Sequence, residues 1–529
     1  MSDPVRSAAP ELVLEGASVR AEVRAAVDRR TAYLLAFACG TLYFLGFAGT
    51  DIWPCALVAL APMAVAMEGQ PARRCLEVGA IAGFTMNMMG FYWLYGMLKS
   101  FSGFPGPVCV LFMSLLCAYQ GGRIGLFGWL YGRARERGWP GALVFLLAFA
   151  ASELLYPLLF PWYFAASVHQ VPALTQLAEL GGPYLVGLVL AAPSLALAEM
   201  VLARRQKRVL DRRLVALGLA TPAVAAIYGY VRLRQVDASA LASEPVHVGI
   251  VQGDMPLLQT RQDHIESLSR HMRMTKELRA KGADFVVWSE SSVMWNIPED
   301  DHDRFLQSLF TKQLGVPALF GALLVGRNPN ERRAYNVALA TDRSGHVVGR
   351  YDKHYLLAFG EYLPFGETFP VLYDWSPNSG HLTPGTSIEP VTLAGHPVSA
   401  LVCYEDILPG FVNHALSQGD SEMIVNVTND AWFGDTTEPW IHLALAQMRA
   451  VEHRRYLLRS TNSGVSAVID PVGRVIAHGG TFREETVDAV AHWMKGARTG
   501  YEIWGDAPWW LATAAIGVMA FRRRRGATA

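Results

Sequence analysis

Ser399-Ala400-Leu401-Val402-Cys403-Tyr404-Glu405-Asp406 is an apolar run of strand character that ends at a sulfur. Helix-compatible residues follow, so the stretch predicts a strand handing over to a helix with a thiol at the junction. Backbone N–H groups and the positive end of a helix dipole would favour the thiolate there. Taken alone, a single Cys beside Val and Leu is more often a small buried hydrophobe than a nucleophile. The other five cysteines, Cys39, Cys55, Cys75, Cys109 and Cys117, lie in or beside apolar segments of the first half. No Cys-x-x-Cys or Cys/His ligand spacing occurs, so neither a disulfide framework nor a zinc site is expected. No cofactor is expected either.

Of 529 residues, 52% are hydrophobic and 17% charged, against about 25% charged in soluble proteins. The deficit lies in the first half, which predicts a multi-pass helical membrane part joined to a soluble block. A formal net charge of +0 gives no case for a nucleic-acid partner. The first thirty or so residues are polar and lack the apolar core of a cleavable signal peptide. Apolar segments follow at 31–49, 52–67, 78–98, 107–131, 141–160, 183–203 and 214–231, and an eighth closes the chain at 507–521. Most approach the ~20 residues that cross a bilayer. The fourth carries Gln120-Gly121-Gly122-Arg123, which predicts a bend or a water-facing step. Arg123 is either a functional intramembrane charge or an arginine reaching for the interface.

Basic clusters at Arg29–Arg30, Arg73–Arg74, Arg133–Arg137, Arg204–Arg213 and Arg522–Arg525 fall on one side if seven spans precede the soluble block and an eighth follows. By the positive-inside rule that side is the cytoplasm and the soluble block lies outside it. Arg232 and Arg234 dissent weakly. The expected domains are a membrane part at 1–233, a soluble block at 244–495 and a C-terminal transmembrane helix at 505–522, with the Ala/Ser-rich run 235–245 as linker.

In the soluble block, strand candidates at 246–251, 284–288, 317–325, 335–340, 346–351, 398–402, 423–427, 465–469 and 472–478 alternate with helical stretches at 264–281 and 442–458, an α/β pattern. Three reactive side chains stand just past predicted strands: Glu290, Lys353 and Cys403. Strand ends are where sites assemble in such sheets. A carboxylate can take the thiol proton, a thiolate can attack a carbonyl, and an ammonium can stabilise the oxyanion.

The order Glu–Lys–Cys on such a sheet resembles the nitrilase superfamily. Val251-Gln252-Gly253-Asp254, Trp288-Ser289-Glu290, Tyr351-Asp352-Lys353-His354, Phe359-Gly360-Glu361-Tyr362-Leu363-Pro364, Cys403-Tyr404-Glu405, Thr428-Asn429-Asp430-Ala431-Trp432-Phe433-Gly434 and Arg459-Ser460-Thr461-Asn462-Ser463-Gly464-Val465 are similar to its membrane-embedded branch, the apolipoprotein N-acyltransferase family. Phe104-Pro105-Gly106-Pro107 and Phe160-Pro161-Trp162 extend the likeness into the first half. The resemblance implies an αββα sandwich outside the membrane on eight helices. It implies Glu290 as general base, Lys353 as oxyanion stabiliser and Cys403 as nucleophile, with Asn336, Glu361, Tyr404 and Glu405 around them. The implied reaction passes an acyl chain from a phospholipid, through a Cys thioester, to the α-amine of a diacylglyceryl-cysteine on an apolipoprotein. The implied location is the bacterial inner membrane, with the catalytic domain periplasmic and the protein monomeric. Ser291-Ser292, Ala358 and the region of Thr260-Arg261 depart from the family's usual residues, which bears on the surroundings of the triad and on acyl-chain preference.

The aromatic stretches Tyr362–Phe365 and Phe369–Trp375 follow Lys353 closely and are expected to form a lipid gate. A membrane-anchored nitrilase-type amidohydrolase would carry the same triad, but an anchor needs one span, and a small amide needs no aromatic loops. A scaffold with a decayed site would not keep all three reactive residues. A transporter would need more intramembrane acids than Glu153 and Glu179.

Overall fold

The computed structural model describes residues 26–524 apart from 257–259, 311–312, 327–332, 359 and 376–379. Phe359, Arg525 and the side chain of Trp375, all singled out in the sequence, lie outside the described residues. The first half is helical: α1 (Arg29–Leu45), α2 (Ala61–Met67), α3 (Ala72–Gly90), α4 (Leu94–Ser102), α5 (Gly106–Glu136), α6 (Gly141–Leu155), α7 (Pro172–Thr175), α8 (Ala178–Arg205) and α9 (Arg212–Leu241). Of the described helices, α5, α8 and α9 are long and apolar enough to cross a membrane, while Trp53–Met67, α6 and Ala507–Phe521 are apolar but shorter.

Four details correct the sequence reading. The segment 78–98 is two helices, α3 and α4, and the break between them carries Phe91 and Trp93 into the interior, where both are buried. Gln120-Gly121-Gly122-Arg123 makes no bend, because α5 is continuous across it. Its glycines serve close packing: a Cβ on Gly83 of α3 would stand 2.2 Å from the Gly121 carbonyl oxygen of α5. Arg123 does not reach for an interface. It is buried, donates to Glu153 Oε1 at 2.7 Å and to the Tyr43 hydroxyl at 3.1 Å, and joins α1, α5 and α6. Small residues at helix crossings and paired polar groups between helices are the means of association where apolar burial alone gives little. Finally, 235–245 is no linker: α9 runs on to Leu241, as an Ala-rich run of high helix propensity allows.

The second half holds two six-strand runs. The first orders β13 (Glu485–Trp493), β1 (Glu244–Gln252), β2 (Phe285–Trp288), β4 (Ala318–Val325), β5 (Ala334–Thr341) and β6 (Val347–Asp352), with β3 (Val293–Pro298) also paired to β4. The second orders β12 (Val475–His478), β11 (Ala467–Ile469), β10 (Tyr456–Thr461), β9 (Met423–Thr428), β8 (His396–Val402) and β7 (Val391–Leu393). Val248, Ile250 and Val287 of the first sheet face Ala400, Val402 and Val425 of the second in one dry core. Each fully buried side chain of this kind contributes ~1.5–3 kcal/mol. On the outer faces pack α10 (Arg261–Ala280) and α11 (His302–Phe310) against the first sheet, and α13 (Pro409–Ser417) and α14 (Glu438–His453) against the second. The layers are therefore α, β, β, α. The short α12 (Val371–Trp375) lies in the segment after β6, and α15 (Gly500–Trp504) and α16 (Ala507–Phe521) end the described chain.

The helix expected at 442–458 is displaced. Pro439 sits in the first turn of α14, and Arg454, at φ +52°, stops the helix so that Tyr456 starts β10. The helix dipole expected behind Cys403 is absent as well. Cys403–Ile407 is a single 3-10 turn, and α13 begins only at Pro409.

The contact of α3 with α5 generates a test. Gly83→Leu would drive a side chain into the Gly121 backbone, and overpacking of this kind costs about 1–3 kcal/mol. Thermal unfolding in detergent should show a lower Tm for Gly83→Leu and a near-unchanged Tm for Gly96→Leu, since Gly96 has open space around it.

Candidate active site

Two left-handed residues frame the site. Cys403 ends β8 at φ +55°, and Ser291, one residue after Glu290, sits at φ +55°. Such angles are uncommon outside glycine and cluster where function demands them. Glu290 follows the end of β2, and its main chain lies so close to β4 that a Cβ on Gly321 would stand 2.5 Å from Glu290 Cα. Lys353 follows β6 and is fixed by its own N–H, which donates to the Asn336 carbonyl of β5 at 2.9 Å.

The structure brings most of the sequence-selected residues together. Lys353 Nζ lies 2.8 Å from Glu361 Oε2 and 3.4 Å from Glu290 Oε1. The Asn336 amide donates to both carboxylates, at 2.7 Å to Glu290 and 2.8 Å to Glu361. Cys403 adjoins this group: the charges of Glu290 and Lys353 both act on its thiol. Tyr404 turns away, its hydroxyl donating to the Leu159 carbonyl of the helical half at 2.6 Å. Glu405 lies behind the Cys403 turn and takes four donors: the N–H groups of Val402, His354 and Tyr355 and the hydroxyl of Tyr351. It braces the Cys403 strand end against the Lys353 strand end.

Burial sets the electrostatics. It pushes the Glu290 carboxyl up, against the pull of Lys353 and with a push from Glu361. Burial alone would lower Lys353, but Glu361 and Glu290 overcome it and hold the amine well above the lysine range. Burial and the Glu290 charge raise the Cys403 thiol well above the thiol range, with Lys353 opposing. The resting arrangement is thus a protonated thiol beside a carboxyl and an ammonium. Its sulfur gains nucleophilicity only as the proton leaves to Glu290.

A cavity of about 30 Å³ opens at Cys403, walled by Phe91, Trp93 and Phe160 of the helical half and by Tyr404 and Phe433 of the sheet half. Trp93 and Phe433 meet edge to face at 5.0 Å. The space suits about one water molecule, so a long chain enters only when these rings move.

One group of functional side chains escaped the sequence reading: Asp406, Asp430, Glu438, His442 and Arg459, all buried. Donor atoms of Asp430, Glu438 and His442 lie within 4.8 Å of one another, a spacing that would suit a metal ion. Arg459, however, donates to Asp430 Oδ2 at 2.9 Å, and the second nitrogen of His442 faces Asp406 at 2.8 Å. The positive charge of the cluster is already supplied by the protein. An arginine inside the apolar strand Leu457-Leu458-Arg459 was the available signal, since a buried guanidinium demands carboxylates.

Glu405 generates a pH test. Burial raises its carboxyl to about 7 despite its N–H donors. A raised acid contributes stability that is fully present below its unfolded value of ~4.5 and is lost as pH rises through about 7. Glu405→Gln should be less stable at every pH, because its amide N–H₂ would meet backbone donors. It should also lack the wild-type fall in Tm between pH 5 and pH 8. A fall of equal size in both proteins would contradict the assignment.

Two family profiles match the chain: the apolipoprotein N-acyltransferase N-terminal domain at residues 39–196 and the carbon-nitrogen hydrolase family at residues 247–490. Proteins named apolipoprotein N-acyltransferase align along almost the whole length. That of Nitrosomonas europaea is 32% identical over 92% of this chain and 95% of its own. That of Ralstonia nicotianae is 32% identical over 94% and 95%, and that of Azotobacter vinelandii 30% identical over 93% and 95%. Identity held at this level from the helical half through the sheets, with both profiles in the same order, makes the chain a member of the apolipoprotein N-acyltransferase family.

Proposed function

We propose that the protein transfers an acyl chain from a phospholipid to the α-amino group of the N-terminal diacylglyceryl-cysteine of apolipoproteins, in two half-reactions through a thioester on Cys403. One observation carries the reading: Cys403, on whose thiol the paired Glu290 and Lys353 act, lines a cavity whose outer wall is built from rings of the helical half. An amidase acting in water has no use for that wall.

In the first half-reaction Glu290 takes the Cys403 proton, and the sulfur attacks the ester carbonyl. Lys353, held by Glu290 and Glu361, faces the developing oxyanion. Collapse breaks the ester C–O bond, and Glu290 returns its proton to the departing glycerol oxygen, releasing a lysophospholipid. In the second, the acceptor's neutral amine attacks the thioester and loses a proton to Glu290. The C–S bond breaks, and the sulfur regains that proton. Asn336 and Glu361 orient the two charged partners, Tyr404 ties the site to the helical half, and Glu405 braces the turn.

Residues 244–495 form the catalytic domain in this reading, carried by the membrane part at 1–233 and the C-terminal helix at 505–522. In this reading the eight apolar segments of the sequence are spans, the basic clusters lie in the cytoplasm and the catalytic domain lies on the periplasmic side of the inner membrane. Phe365 and Phe369 are exposed at 76% and 57%, as a lipid gate beside Lys353 would require.

Mass spectrometry of the full-length protein incubated with phospholipid should show an acyl adduct on Cys403. Cys403→Ser should abolish it, and a diacylated lipopeptide should discharge it. Lys353→Met should slow its formation by roughly 10²–10³, the loss of one oxyanion donor. Hydrolysis of small amides with no transferable adduct would favour an amidohydrolase instead. Phe365→Ser should slow adduct formation without altering Tm, and an unchanged rate would remove the gate.

A further inference from the structure

Beneath the cavity, four charged side chains close a ring. His442 Nε2 faces Asp406 Oδ1 at 2.8 Å, and His442 Nδ1 faces Asp430 Oδ1 at 3.0 Å. Arg459 donates to Asp406 Oδ2 at 2.7 Å and to Asp430 Oδ2 at 2.9 Å, so each carboxylate bridges the same two cations. The side chains of both aspartates and the arginine are fully buried, and that of His442 is 4% exposed. The four come from four elements: the turn after β8, the turn after β9, helix α14 and strand β10.

The ring touches Cys403 from three directions. Asp406 belongs to the 3-10 turn that Cys403 opens. Asn426, which accepts from Arg459 at 3.3 Å, donates to the Cys403 carbonyl at 3.0 Å. Thr428, which lowers the thiol's tendency to keep its proton, donates to Asp430 Oδ1 at 3.5 Å. His442 also lines the cavity that Cys403 lines. We propose that His442 is a positioning residue for Cys403, its imidazolium closing a four-charge ring that holds the nucleophile's left-handed turn and the floor of its cavity in one geometry. The proposal rests on the reading of Cys403 as nucleophile and adds to it a residue that acts through the turn rather than on the reacting atoms.

The charge state follows from the surroundings. Burial and Arg459 push the imidazole toward neutrality, while Asp406 and Asp430 overcome both and leave it at about 9. Glu438, whose Oε1 stands 4.0 Å from His442 Nδ1, is itself pushed well above the carboxylate range by burial and by the Asp430 charge. Among the described residues its Oε2 has no hydrogen-bond partner. The histidine is raised, so the ring is intact below ~6.5 and opens as pH rises through about 9.

The test uses the full-length protein in phospholipid nanodiscs. Cysteine alkylation is followed peptide by peptide with iodoacetamide at pH 7, and acyl-adduct formation is followed from pH 6 to pH 10. In His442→Gln, Cys403 should alkylate several-fold faster as its turn loosens, and the adduct should form at least ten-fold more slowly. Buried Cys39, Cys75, Cys109 and Cys117 should stay protected. Wild-type rates for both reactions at Cys403 would overturn the proposal. If every cysteine becomes reactive, the variant has unfolded and His442→Lys decides. The ammonium keeps the ring charged, so the alkaline fall in adduct formation near pH 9 should move upward, and a fall left at its wild-type position would overturn the proposal. If the wild-type protein forms no adduct, the assigned reaction fails, and the alkylation of Cys403 still judges the ring.

Discussion

Everything at the site depends on keeping one buried ammonium charged. Lys353 is 2% exposed, and an isolated charge so placed would lose its proton rather than stay ionised. Glu290 and Glu361 prevent that, and Asn336 fixes both carboxylates with a single amide. The arrangement carries more negative than positive charge, which is why the thiol keeps its proton at rest and why a third anion forms only when Glu290 is neutralised. Deleting one member of such a group leaves an uncompensated charge, at about 3–5 kcal/mol. The same contacts that prepare the chemistry therefore hold β2, β5 and β6 in register at their ends.

The helical half completes the site rather than only carrying it. Close glycine contacts draw α3 and α5 together, and the α3–α4 break turns Phe91 and Trp93 toward the sheet half. Phe433, in the turn after β9, meets Trp93 there, and Tyr404 reaches the Leu159 carbonyl. The nucleophile's cavity has one wall from each half. A rigid core of this kind moves by switching between packed arrangements, not by gradual deformation, so the small cavity and the much longer chain it must admit are two states of one aromatic wall.

The strands and three reactive residues were legible because both signals are local. An apolar run bounded by turn residues marks a buried strand, and a Glu, Lys or Cys at its end stands out against it. Nine strand segments were readable in this way, but β3, the short β7 and the half-exposed β13 gave too little pattern, and β10 was taken into the helix before it. Where the reading failed, a longer-range contact decided. Gly121 and Gly122 read as a bend because what they make room for, α3 against Gly121 and the Tyr156 ring against Gly122, lies more than thirty residues away in sequence. Arg123 was ambiguous because its partner Glu153 lies on another helix. The thiolate-favouring helix dipole at Cys403 failed because Leu408 and Pro409 delay the helix. The charge that matters for the sulfur comes instead from Glu290 and Lys353, on the other sheet.

Asp406, Asp430, His442 and Arg459 show the same limit in its sharpest form. Each reads alone as an ordinary polar residue at a strand end or a helix start, and only the fold makes them a closed circuit. Two anions and two cations cancel within the ring, whereas the Lys353 group is net negative. The balanced ring supports Cys403 mechanically, and the charge of its Asp430 acts on the thiol less than those of Glu290 and Lys353 do. The two charge groups flank one cysteine from opposite sheets. One sets when the thiol ionises and the other sets where it points, and the two act together on a residue held at φ +55°.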